Sequence, residues 1–116
     1  MFKIHYIDNR EIAEGICPSL GDNEMLFALN EEGVFKGTAI CENEGETVII
    51  KSVDAPYEDA RLLMFLAMLN YAERHKMKKA RCINSDLADL CERMHFEKDM
   101  TVSLEGFFIP GRHCKD

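Results

Sequence analysis

Residues 34–96, VFKGTAICENEGETVIIKSVDAPYEDARLLMFLAMLNYAERHKMKKARCINSDLADLCERMHF, carry the order of elements from which the fold follows. VFKGTAIC (34–41) and ETVIIKSVD (46–54) alternate apolar and polar residues and read as a hairpin, with Gly45 in the left-handed position of the loop. YEDARLLMFLAMLNYAERHKM (57–77) reads as one long helix, ARCI (80–83) as a short buried strand, and NSDLADLCERMHF (84–96) as a short helix with an aromatic exit. In that β-β-α-β-α order the second hairpin strand and ARCI run parallel, joined by a crossover helix. Cofactors bind at the ends of such parallel pairs, where a helix follows at once.

Outside this stretch, FKIHYI (2–7) alternates as a first strand, and MLFALN (25–30) forms another, closed by a tight Glu-Glu-Gly turn. Between them, the helical spacing of Ile12 and Ile16, interrupted by Gly15, Pro18 and Gly21, predicts a short helix ending near Cys17. Three of the strands form an antiparallel meander. In the long helix Leu62, Leu63, Leu66, Leu69 and Ala72 make one apolar stripe, widened by Phe65, Met68 and Tyr71, so the helix is expected to be largely buried. Glu58 and Asp59 at its start and Arg74, His75 and Lys76 at its end suit the helix dipole. Asn84 or Ser85 caps the next helix, and MTVSLEGFF (100–108) supplies a last strand or hairpin.

The chain has 116 residues, 47% apolar and 30% charged, with a net charge of −7, which fits one domain spanning residues 1–116. A nucleic-acid partner is disfavoured, because the basic cluster at 75–81 sits at a helix end and no phosphate-neutralising surface is present. The five cysteines are odd in number and scattered, with no CxxC pair, which fits a reducing cytoplasm. The N-terminus, MFKIHYIDNR, has no continuous apolar core of the kind a signal peptide carries. The longest apolar run, residues 62–69, is far short of the ~20 residues that span a membrane. A metal site is not expected from His113 and Cys114, two adjacent ligands with no companions.

From Gly37 onward the chain resembles the GNAT family of acyl-CoA-dependent N-acetyltransferases. NSDLADLCERMHF is similar to the family's Asn-x-x-x-Ala-x-x-Leu-Tyr-x-x-x-Gly-Phe exit at Asn84, Ala88, Leu90 and Phe96, with one residue fewer between Ala88 and Leu90, and GTAICENEGETVIIKSVDAPYE resembles its hairpin, from a Gly to a Val and a Pro-Tyr. The resemblance covers about two thirds of the chain. It implies an α/β fold: a mixed, mostly antiparallel sheet with a central long helix and a short C-terminal helix. It also implies transfer of an acetyl group from acetyl-CoA to a small-molecule or peptide amine. Three departures stand out. The family's phosphate loop, Arg/Gln-x-x-Gly-x-Gly/Ala, is replaced by Tyr57-Glu58-Asp59-Ala60-Arg61-Leu62, which has no glycine; the usual Tyr of the last helix is Cys91; and the Gly before the final Phe is His95. Carboxylates at the loop oppose a pyrophosphate, by about 4 kcal/mol for like charges ~4 Å apart at an effective dielectric near 20.

Each site residue has two readings. Arg61 could grip the cofactor phosphates in place of the loop, or pair with Glu58 one turn away on a solvated face. Cys91 could protonate the departing thiolate, or be a core residue beside Leu87 and Met94. Asn84 could face the pantetheine arm while it caps its helix. Asp54 is the best-placed general base, Glu46 a second, and either could serve solubility or capping alone. Val53 and its neighbours could offer backbone groups to the thioester. Against the enzyme stands a second expectation, a GNAT-like module that has lost catalysis and serves in binding or homodimerisation.

Overall fold

The computed structural model describes residues 2–105 and 107. His113 and Cys114, from which no metal site is expected, and the end of the MTVSLEGFF stretch lie outside them. The elements are β1 (Phe2–Tyr6), α1 (Arg10–Ile16), β2 (Glu24–Glu31), β3 (Val34–Glu44), β4 (Thr47–Asp54), α2 (Glu58–Arg74), β5 (Lys79–Cys82), a 3₁₀ turn (Ser85–Leu87), α3 (Ala88–Arg93) and β6 (Thr101–Ser103). The strands lie in one six-stranded sheet in the order β1-β2-β3-β4-β5-β6. Every pairing is antiparallel except β4 with β5, which run parallel from Thr47↔Lys79 to Ile50↔Cys82. This is the mixed, mostly antiparallel α/β arrangement expected, including the co-directional pair joined by the long helix.

Turn chemistry sets the antiparallel registers. Glu32 and Gly33 both take positive φ, 54° and 81°, which matches the two-residue turn whose twist suits a hairpin. Gly45, at φ 63°, takes the left-handed position between β3 and β4. Helices α2 and α3 both close with a residue in the left-handed region and the paired 6→1 and 5→2 bonds of a Schellman end. After α2, Met77 N–H donates to Ala72 C=O (3.0 Å) and Lys76 N–H to Glu73 C=O (3.1 Å), with Lys76 at φ 65°. After α3, Phe96 N–H donates to Cys91 C=O (2.9 Å) and His95 N–H to Glu92 C=O (3.1 Å), with His95 at φ 63°.

Alternation along the strands places Met25, Phe27, Leu29, Ala39, Cys41, Val48 and Ile50 on the face covered by α2 and α3, where they form the main core. A smaller cluster of Ala13, Leu20 and Leu26 joins α1 to the other face. The buried stripe of α2 differs in phase from the expected one. Ala60, Met64, Phe65, Met68, Leu69 and Ala72 are fully buried, whereas Leu62 and Leu66 are half-buried and Leu63 is 41% exposed. A single sheet face receives the helix, so an apolar run wider than that face leaves one flank outside.

Candidate functional site

A break in the sheet between β4 and β5 creates the site. Opposite β3, Ile40 pairs with Ser52 and Cys41 with Ile50, so Lys51 is an extra residue in β4. Such a bulge bends its strand and raises the local twist. Pairing with β5 ends at the same level, at Ile50↔Cys82, and Ile83 N–H makes a last bond to Ile50 C=O at 3.1 Å. Beyond it, residues 52–54 of β4 have no strand neighbour on that side among the described residues. This unpaired interval at the carboxyl ends of two parallel strands, where ligands bind in open α/β sheets, is termed the gap.

Two helical termini flank it. The first turn of α2 follows Tyr57, which makes no side-chain capping bond, and among the described residues no side chain accepts from the amides of residues 58–60. The other lip is the 3₁₀ turn and α3. Gly37 of β3 lets the gap's neck form: a Cβ there would overlap Asp54 O and lie 3.2 Å from Ala55 Cα.

Asn84 holds the apex. Its Oδ1 accepts from Asp86 N–H at 2.9 Å, capping the turn, and its Nδ2 donates to Lys51 C=O at 3.1 Å, strapping the turn to the bulged residue. Val53, opposite Ala39, is half-buried against the main core, and Asp54, opposite Thr38, is exposed at the strand tip. Cys91 is 3% exposed; burial, with Cys82 beside it, pushes its thiol up to about 12. Cys82 in turn directs its Sγ to Asn84 C=O at 3.5 Å. Val53, Asp54 and Asn84 thus lie along the end of one strand, while Cys91 is buried in the core beside Cys82. Glu46 is separated from them: it precedes β4, its carbonyl accepts from Lys78 and Lys79 N–H, and its carboxylate lies 3.5 Å from Lys78 Nζ. The eight residues of β4 place it roughly 25 Å from Asp54, too far for the two carboxylates to share a substrate.

Arg61 spans the gap's outer mouth. It donates to Glu58 Oε1 (2.8 Å), to the Asp89 carboxylate (3.2 and 3.5 Å) and to Asp86 C=O (3.1 Å). The i,i+3 pair with Glu58 is present, but the stronger anchors come from the opposite lip. Asp89 holds the guanidinium further above its ordinary value, and Arg61 in return holds the Asp89 carboxyl below the usual range.

Lys51 was not foreseen. Its ammonium bonds Glu24 (2.7 Å) and Glu42 (2.6 Å) on the sheet face away from α2, which fixes the bulge from outside. Arg10 ties the same corner, donating to the carbonyls of Glu24 (2.8 Å) and Gly21. The signal in the sequence was the doublet Lys51-Ser52, two polar residues where alternation calls for one.

No protein-family model matches the chain, and none of the curated protein sequences does. Solved structures do. The chain is similar to an N-acetyltransferase from Staphylococcus aureus Mu50, with TM-score 0.68 and 12% identity over 90% of this chain and 99% of that one. It is similar to the ribosomal-protein-S18-alanine N-acetyltransferase from Escherichia coli, with TM-score 0.66 and 11% identity over 84% and 78%. A GNAT family acetyltransferase from Elizabethkingia anophelis, solved with acetyl-CoA bound, gives TM-score 0.63 and 12% identity over 83% and 76%.

Proposed function

We propose that this chain, which has the fold of the GNAT acetyltransferases, binds an acyl-CoA thioester in the gap beyond Ile50 and Cys82 and transfers its acetyl group to an amine. The observation that carries this reading is the end of parallel pairing at Ile50↔Cys82, level with the bulge at Lys51. It leaves the backbone edge of residues 52–54 free to bond the amides of a pantetheine arm. Neighbours of the same fold include proteins solved with acetyl-CoA or coenzyme A.

The donor set fits the two parts of such a molecule unequally. The strand edge and the Asn84 amide suit an extended chain of amides. The amides at the start of α2 suit an anion, while Glu58 and Asp59 beside them oppose one. In this reading Arg61 leaves Asp89 for a phosphate, since a guanidinium grips either bidentately. Asp54 takes the proton of the attacking amine. The new N–C bond forms as the C–S bond breaks, and the thiolate takes its proton from solvent, because the Cys91 thiol holds its own too tightly at neutral pH to give it readily. Coenzyme A supplies the activated thioester.

One observation favours a second reading, a binding or dimerising module without catalysis: Arg61, the sole cation at the mouth among the described residues, is already engaged by three acceptors. Calorimetry with acetyl-CoA separates the two. A micromolar dissociation constant, tightened several-fold in Glu58→Gln/Asp59→Asn, supports the transferase. No heat up to millimolar acetyl-CoA leaves the module.

A further inference from the structure

A second concave site lies at the other end of α2, between its last two turns and the edge strand β1. It encloses about 430 Å³, within the range of small-molecule sites. Its walls are aromatic. Tyr71 packs between Tyr6 (ring centroids 4.8 Å apart, tilted) and the imidazole of His75 (3.9 Å, stacked), and meets Phe27 edge-on at 5.5 Å. These rings fix one another, so the walls are pre-formed.

The rim of the pocket has one sign. Its polar groups include the Asn70 amide, the Arg74 guanidinium and the His75 ring, and no Asp or Glu lines it. In a chain where 21 acidic residues face 14 basic ones, a pocket with no carboxylate is unusual. Among the described residues, Arg74 has no ion-pair partner and the Asn70 side chain has no hydrogen-bond partner. Five NH donors of a planar fork thus stand at the edge of an aromatic hollow with no acceptor among the described residues. By contrast, the groove on the opposite sheet face mixes Lys79 and Arg81 with Glu44 and Asp99, so both signs of charge line it.

We propose that this pocket binds a small organic anion with a planar apolar body: an aromatic ring lies against Tyr6 and Ile4, and its carboxylate meets Arg74 and Asn70. The site is separate from the gap between β4 and β5. The 17 residues of α2 put roughly 25 Å between its first turn and its last, so the inference stands or falls without the acyl-transfer reading.

The test uses the full chain, ¹⁵N-labelled, titrated with 2-naphthoate and, separately, with uncharged 2-naphthylmethanol. The expected result is saturating amide shifts centred on Tyr6, Asn70 and Arg74, with the acid binding about tenfold tighter than the alcohol. Arg74→Gln, at an exposed position, leaves the melting temperature of the free protein unchanged and brings the acid down to the alcohol's affinity. Equal affinity for acid and alcohol, indifference to Arg74→Gln, shifts centred on residues 52–61 instead, or no shifts at millimolar ligand would each overturn the assignment.

Discussion

Replacing Gly37 by Ala is expected to destabilise the protein by about 2–4 kcal/mol, whereas the same change at Gly15 is expected to stabilise it. At Gly37 the added methyl overlaps Asp54 O and stands 3.2 Å from Ala55 Cα and 3.3 Å from Asp54 C. All three obstacles are backbone, so no side chain can swing aside. Comfortable carbon contacts are near 3.5–4.0 Å, and the end of β4 must retreat by about 1 Å. Overpacking of that kind costs about 1–3 kcal/mol, and loss of the Thr38↔Asp54 pairing adds about 1 kcal/mol. At Gly15 a Cβ meets nothing within 4 Å, and the residue is helical, so Ala gains about 0.5–1 kcal/mol. Urea unfolding resolves both: with a slope near 1.5 kcal/mol/M, the midpoint falls by roughly 1.5–2.5 M for Gly37→Ala and rises by roughly 0.5 M for Gly15→Ala. If the two variants shift in the same direction, or Gly37→Ala lies within about 0.5 kcal/mol of the parent, the close approach of β3 to the strand end is not what the contacts imply.

The Schellman ends give a second expectation: Lys76→Gly and His95→Gly each relieve a left-handed side chain and raise stability by about 1 kcal/mol, visible as a higher melting temperature. Loss of stability in either variant counts against the assigned backbone. The Lys51 bond, with help from Gly21 N–H, holds Glu24 below its ordinary value of 4.5. A lowered folded value means this stabilisation is present above pH 4.5 and is lost as pH falls through the folded value, so Glu24→Gln should flatten the acid limb of a stability–pH curve. Lys51 is raised above 10.5 by Glu24 and Glu42, so its contribution is full below pH 10.5 and fades as pH rises past the raised value. Lys51→Met should flatten both limbs, and unchanged limbs would exclude the clasp. Cys41, Cys82 and Cys91 are buried and Cys17 is half-exposed; burial alone pushes Cys41 up to about 12. In a Cys114→Ser background Ellman's reagent should therefore find one fast thiol, and two or more would contradict the packing.

The strands, the two central turns and the parallel pair were legible because each rests on local pattern: alternation, a glycine at a positive φ, and a helix too long for a hairpin connection. The gap itself was not. Its bulge depends on Lys51 reaching Glu24 and Glu42, partners 27 and 9 residues away, and only the Lys51-Ser52 doublet hinted at it. The cap at Asn84 and the strand-tip position of Asp54 were legible because caps and strand ends have short-range signatures. Glu46 was grouped with Asp54 because both flank one strand, yet a strand carries its two ends apart. Arg61 read as an i,i+3 partner of Glu58, since nothing near it in the chain announces Asp89, 28 residues on. The helix stripe was misphased because apolar residues exceed the width of the face that receives them. His95 stands where a glycine would be easier, and the backbone adopts the left-handed form regardless, since two hydrogen bonds outweigh one strained residue.

The sheet's spatial order is also its chain order, from β1 through β6. Each strand leaving a ribosome finds its predecessor already in place as a template, so assembly can proceed by accretion. The longest loop closure is the span 55–78, and it is bridged by a helix that shortens the search. Folding should therefore be quick for a β-rich chain, with the pairing of β5 onto β4 across that span as its slow step, and a circular permutation that cuts within residues 55–57 should slow it far more than one that opens the turn at Glu32–Gly33.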